Sequence, residues 1–136
     1  MRVFCDTNVL ASAFGGRGLC GDLVERLLAQ HTLVVSPQVL DELARALPRL
    51  GVDVATTKAV VAFVRARAVV VPQPTAPTSH MVRDEADRWI LAAAVNCDAL
   101  VTGDTDLLDV ANTAPVRILN PRALWTLLDE VERARE

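Results

Sequence analysis

DEADRWILAAAVNCDALVTGDTDLL, residues 84–108, runs from a helix through a strand into a second helix start. At about 100° per residue, Ile90, Leu91, Ala94, Ala86 and Cys97 gather on one face, which predicts an amphipathic helix over 84–96. ALVT (99–102) follows as a short apolar strand, and Asp104 and Asp106 stand just past its end. A helix leading straight into a short apolar strand is the unit from which parallel sheets are built, because parallel neighbours need a crossover connection.

The same alternation continues outward in both directions. VFC (3–5) is a strand ending at Asp6, and NVLASAF starts a helix. CGDLVERLLAQ (20–30) carries Leu23, Val24, Leu27 and Leu28 at helical spacing, and TLVVS (32–36) reads as a buried strand. SPQVLDELARAL (36–47) opens with serine at an N-cap and proline at the first helical position. VATTKAVVAFVRAR (54–67) is a helix, AVVV (68–71) a strand and PQPTAPTSH (72–80) an irregular loop. After VRIL (116–119), a strand, NPRALWTLLDEVERA closes the chain with an Asn-Pro helix start. The expected fold is one α/β domain over residues 1–136 with a central, mainly parallel sheet. Ligands of such sheets bind beyond the carboxyl ends of the strands, where Asp6, Asp104 and Asp106 lie.

Composition narrows the chemistry. Half the chain is apolar, enough for a sizeable core, and a net charge of −3 excludes a uniformly basic nucleic-acid binder. Cys5, Cys20 and Cys97 cannot all pair and form no CxxC or Cys/His cluster, which argues against zinc and a disulfide framework and for a reducing compartment, the cytoplasm. No apolar run approaches about 18 residues, so no membrane span is expected. There is no GxxxxGK phosphate loop. A haloacid-dehalogenase-type phosphatase needs a second aspartate two residues after the first, where this chain has Asn8.

Helical phase sorts the acids. Asp87 falls within the buried face of its helix, between Ile90 and Leu91, while Glu85 and Arg88 point away. A carboxylate there is unfavourable unless compensated, either by a metal ion or by an arginine such as Arg83. On the helix from Ser36, Val39, Leu43, Ala46, Leu47 and Leu50 define the core face; Glu42 borders it and Asp41 lies opposite. Each strand-end aspartate taken alone also suits an ordinary N-cap. Together, Asp6, Glu42, Asp87 and Asp104, with Asp106 close by, form a set of hard oxygen ligands that repel one another without a cation and suit Mg²⁺ or Mn²⁺.

CDTNVLASA, SPQVLDELARAL, RDEADRWILAAAVNCDALVTGDTDLL and ILNPRALWTLL resemble a PIN domain, over essentially the whole chain. The likeness is greatest to the branch described as toxin components of bacterial toxin–antitoxin systems. It implies a three-layer α/β/α fold and a metal-dependent endoribonuclease. The catalytic acids it implies are Asp6, Glu42, Asp87 and Asp104, and Asp6, Asp87, Asp104 and Asp106 would hold one or two Mg²⁺ or Mn²⁺ ions. Asn8 and Thr102 fall where polar side chains support such a cluster, with Ser36 a weaker case. The partners implied are an RNA substrate, an antitoxin protein and a second copy of the chain. Arg17, Arg83 and Arg88 are the arginines placed to meet RNA phosphates. His31 and His80 match no catalytic position. The rival reading is a PIN fold that serves as a protein-binding or assembly module without nuclease activity.

Overall fold

The computed structural model describes residues 1–16, 18–78 and 82–136. Strands β1 (Arg2–Cys5), β2 (Thr32–Val35), β3 (Val69–Val70), β4 (Ala99–Val101) and β5 (Ile118–Leu119) form one five-stranded sheet in the order β3-β2-β1-β4-β5. Every pairing is parallel. Parallel strands covered on both faces read as continuous apolar runs, and Val3, Phe4, Cys5, Leu33, Val34, Val35, Leu100 and Val101 are all buried. The expected mainly parallel α/β sheet is therefore found, flanked by helices as a PIN-like fold requires.

Helices α1 (Thr7–Gly15), α2 (Leu19–Gln30), α3 (Pro37–Arg49), α4 (Val54–Arg67), α5 (Glu85–Ala94), α6 (Thr105–Leu108) and α7 (Pro121–Ala134) supply the outer layers. α1 packs on α2 and α3, α3 on α4, and α2 on α7. Most have legible starts: Asp6, Ser36, Asp53, Asp84, Asp104 and Asn120 each cap a helix by accepting a backbone N–H. α3 stops where Gly51 takes φ +89°, a left-handed conformation that glycine adopts without a side-chain penalty. The strands expected at 68–71 and 116–119 are shorter than their apolar runs suggest, and both are edge strands that pair on one side only; the helix expected over 84–96 runs from Glu85 to Ala94.

The chain order places the site. From β1 the chain builds outward through β2 to β3, then returns to lay β4 and β5 on the other side of β1. The reversal falls between β1 and β4, and the carboxyl ends of those two strands lead directly into Asp6 and Thr102-Gly103-Asp104. A crevice at such a point is where open α/β sheets bind ligands.

Candidate metal centre

Asp6 leaves β1 with its backbone N–H still bonded to the Val101 carbonyl at 3.0 Å, so β4 fixes its height. Its Oδ1 accepts the Thr7 N–H at 2.8 Å, and its Oδ2 accepts the Thr102 hydroxyl at 2.7 Å and the Asn8 amide at 3.3 Å. Thr102 Oγ1 also accepts the Asp104 N–H at 3.0 Å, and Asn8 Oδ1 accepts the Gly103 N–H at 3.1 Å. Asn8 and Thr102 thus lock the β4 turn against the start of α1 and hold Asp6 and Asp104 in register.

α5 delivers the third acid. Asp84 caps it by accepting the Asp87 N–H at 3.3 Å, and Ile90, Leu91 and Ala94 anchor its inner face in the core. Asp87 rides on that face, only 7% exposed. One carboxylate oxygen from each of Asp6, Asp87 and Asp104 lies within 4.8 Å of the others. Asp87 Oδ2 is buried and has no hydrogen-bond partner among the described residues. Arg83 pairs instead with Asp106 (2.6 Å) and Asp109 (3.3 Å), and Arg88 Nε donates to the Val82 carbonyl at 2.7 Å. The alternative of an Asp87–Arg83 ion pair is thereby removed.

The electrostatics follow from crowding. Burial, reinforced by the carboxylates of Asp104, Asp6 and Asp84, pushes the Asp87 carboxyl up to about 8. Burial also raises Asp6, partly opposed by the Thr102 and Thr7 hydrogen bonds and aided by Glu42 and Asp104. Oxygen-only donors, a buried orphan lone pair and mutual repulsion together fit a small hard dication.

A pH test follows. The folded, metal-free protein binds a proton on Asp87 that the unfolded chain releases near the ordinary carboxyl range. The stability from that proton is complete below the unfolded pKa, declines as pH rises, and is lost above about 8. Melting temperature in EDTA is expected to fall between about pH 5 and about pH 9, and Asp87→Asn should flatten that slope. Equal slopes in both proteins would show that Asp87 is not the group responsible.

α3 brings in Glu42, half-buried as its helical phase requires, with Asp41 exposed on the outside. Gln38, one turn earlier, was not anticipated from sequence: its Nε2 donates to Glu42 Oε1 at 2.8 Å and to the Ala86 carbonyl at 3.2 Å, tying α3 to α5 beside Asp87. The Thr7 hydroxyl reaches Glu42 Oε2 at 3.5 Å. Asp106, by contrast, stays outside the three-acid group. Its N–H donates to Asp104 Oδ1 at 2.9 Å within the capping turn, and its side chain swings to Arg83. Ser36 is wholly buried and caps α3 through the Val39 N–H at 3.4 Å. His31 sits at the joint of α2 and α7, Nε2 3.4 Å from Glu132. Arg17 and His80 lie outside the described residues.

The acids form one end of a cleft of about 630 Å³ that runs between α1 and α3. Its lining includes the small residues Ala11, Gly15 and Ala46, and, toward the C-terminal end of α3, Arg49 and Leu50.

Relatives share this architecture. A family model described as "PIN domain" matches residues 2–106. No curated protein matches the chain by sequence. Among solved structures, the chain is similar to one in VapBC2 from Rickettsia felis bound to a DNA fragment from its promoter, at 16% identity and TM-score 0.67, covering 88% of this chain and 98% of the other. It is similar to one in VapBC-1 from nontypeable Haemophilus influenzae at 17% identity and TM-score 0.61, covering 90% and 99%. A domain of a functionally unknown protein from Methanocaldococcus jannaschii matches at 19% identity and TM-score 0.55, covering 88% and 89%. These structures attest the fold, and the family model, which spans more than half of the sequence and both strand-end aspartates, places it: the chain belongs to the PIN-domain family.

Proposed function

We propose that the protein is a metal-dependent endoribonuclease acting as the toxin of a toxin–antitoxin pair. One observation carries the catalytic part: three carboxylate oxygens from Asp6, Asp87 and Asp104 within 4.8 Å of one another, without a cationic partner among the described residues. Asp6, Asp87 and Asp104 would hold Mg²⁺ or Mn²⁺, which when bound polarises a phosphodiester and lowers the pKa of water. Glu42, held by Gln38 and Thr7 at the edge of the cluster, orients the attacking water and accepts its proton. Water adds to phosphorus in line and the P–O3′ bond breaks. One product carries the 5′-phosphate, and the other takes a proton on its 3′-oxygen. Asn8 and Thr102 keep Asp6 and Asp104 from turning away. The VapBC structures support a VapB-like protein as partner. Among the described residues no helix is long and apolar enough to cross a membrane, which accords with a protein that meets RNA in the cytoplasm.

Cleavage of a mixed RNA pool is expected in Mn²⁺ or Mg²⁺ and not in EDTA. In the same assay the adjacent acids of α3 should separate. Glu42→Gln is expected to lower the rate by about tenfold to a hundredfold, in the range of general-base contributions, and Asp41→Asn to leave it within a fewfold. Cleavage that persists in EDTA, or the reverse ranking of the two variants, would contradict this mechanism.

A further inference from the structure

An RNA strand has to reach three carboxylates on a protein whose net charge is itself −3. Of the arginines that flank Asp87 in sequence, Arg83 pairs with Asp106 and Asp109, and Arg88 Nε donates to the Val82 carbonyl. Among the described residues the cleft has one cation in its lining, Arg49. That guanidinium forms no ion pair with any described residue.

Arg49 occupies the same face of α3 as Glu42 and Ala46, since offsets of four and seven residues return to one side of a helix. Seven residues at 1.5 Å rise separate Glu42 and Arg49 by about 10 Å along the axis. That is the reach of roughly three nucleotides at a stacked spacing of 3.4 Å, and fewer if the strand is extended. Ala11, Gly15 and Ala46, all small, also line the cleft. At Gly15 a Cβ would stand 3.0 Å from Leu50 Cδ1, so the end of α1 lies close against the Leu50 side chain. Leu50 is 55% exposed beside Arg49 and offers an apolar surface to a ribose or base edge.

Resting on the nuclease reading of the acid cluster, we infer that the α1–α3 cleft is the track of a single-stranded RNA substrate and that Arg49 binds a phosphate of that strand away from the scissile bond. Arg49 then serves strand binding rather than chemistry, and supplies the first positive charge that offsets the acidic end.

The test is fluorescence anisotropy with a short labelled single-stranded RNA of random sequence in Ca²⁺, its length checked on a denaturing gel. Wild type, Arg49→Ala, Arg49→Lys and Arg45→Ala are compared; Arg45 is an exposed arginine of α3 outside the cleft lining. Arg49→Ala is expected to weaken binding by about tenfold and to flatten the salt dependence of log K by about 0.7, the value for one phosphate contact on a single strand. Arg49→Lys should recover part of the affinity, and Arg45→Ala should bind within a fewfold of wild type. Equal losses in Arg49→Ala and Arg45→Ala would mean bulk charge and overturn the assignment, as would undiminished binding by Arg49→Ala. Binding that depends on Arg49 without any cleavage in Mn²⁺ would keep the strand track and refute the nuclease. Failure of wild type to bind RNA at all would refute both.

Discussion

Asp87→Asn is expected to lower metal-dependent RNA cleavage by at least about a hundredfold, the scale of loss when a metal clamp is broken. Asp6→Asn and Asp104→Asn should do the same. The three side chains arrive from different elements, β1, α5 and the β4 turn, yet bring oxygens within 4.8 Å of one another. Removing one ligand charge therefore disables the group as a whole, and double variants should lose little more than single ones. Asp41→Asn, purified in parallel, is the active comparison, because Asp41 is exposed on α3, and a mock purification from cells that lack the protein is the control for contaminating nuclease. Retention of wild-type rate by Asp87→Asn, with that control clean, would exclude Asp87 from catalysis.

The second large effect is on stability, and its sign is unusual for a buried charge. Breaking a buried ion pair commonly destabilises by roughly 3–5 kcal/mol. Here no cation among the described residues accompanies Asp87, and burial together with Asp104 and Asp6 already disfavours its charged form. Asn is nearly the same size and carries no charge, so metal-free Asp87→Asn is expected to melt at or above the wild-type temperature. Metal should reverse the order. A ligand that binds only the folded state stabilises it by about 2.7 kcal/mol at one hundred times its dissociation constant. For a domain of this size that corresponds to roughly 8–10 °C. Wild type should show this rise in Mn²⁺, and Asp87→Asn should show little of it. Thermal melts of both proteins in EDTA and in Mn²⁺ read all four values. A mutant that melts far below wild type in EDTA would point to a structural role for Asp87.

Much of this was legible in the residues. Period fixed the strands and helices, and the leucines of α3 set a phase that separated Glu42 from Asp41. The apolar face of α5 likewise betrayed Asp87, because an acid between Ile90 and Leu91 has nowhere else to go. Ala86, assigned to that same face, is instead exposed in the first turn of α5. Asp106 could not be placed from spacing, since whether it joins Asp104 or swings to Arg83 depends on the capping turn and on a loop distant in sequence. Gln38 and Arg49 share the Glu42 face at offsets of four and seven, a pattern visible in the sequence. Their meaning appears only when α5 and α1 are set against α3, and long-range packing of that kind leaves no local signature.

Whether Asp6, Asp87 and Asp104 together form a divalent-metal site is tested by calorimetric titration of Mn²⁺ at about neutral pH, without any knowledge of the RNA target. Saturable binding to wild type is expected, with release of protons because Asp87 is protonated in the metal-free protein, and loss of that binding in Asp87→Asn and Asp104→Asn. Absence of saturable binding to wild type, or unchanged binding in both variants, would contradict it.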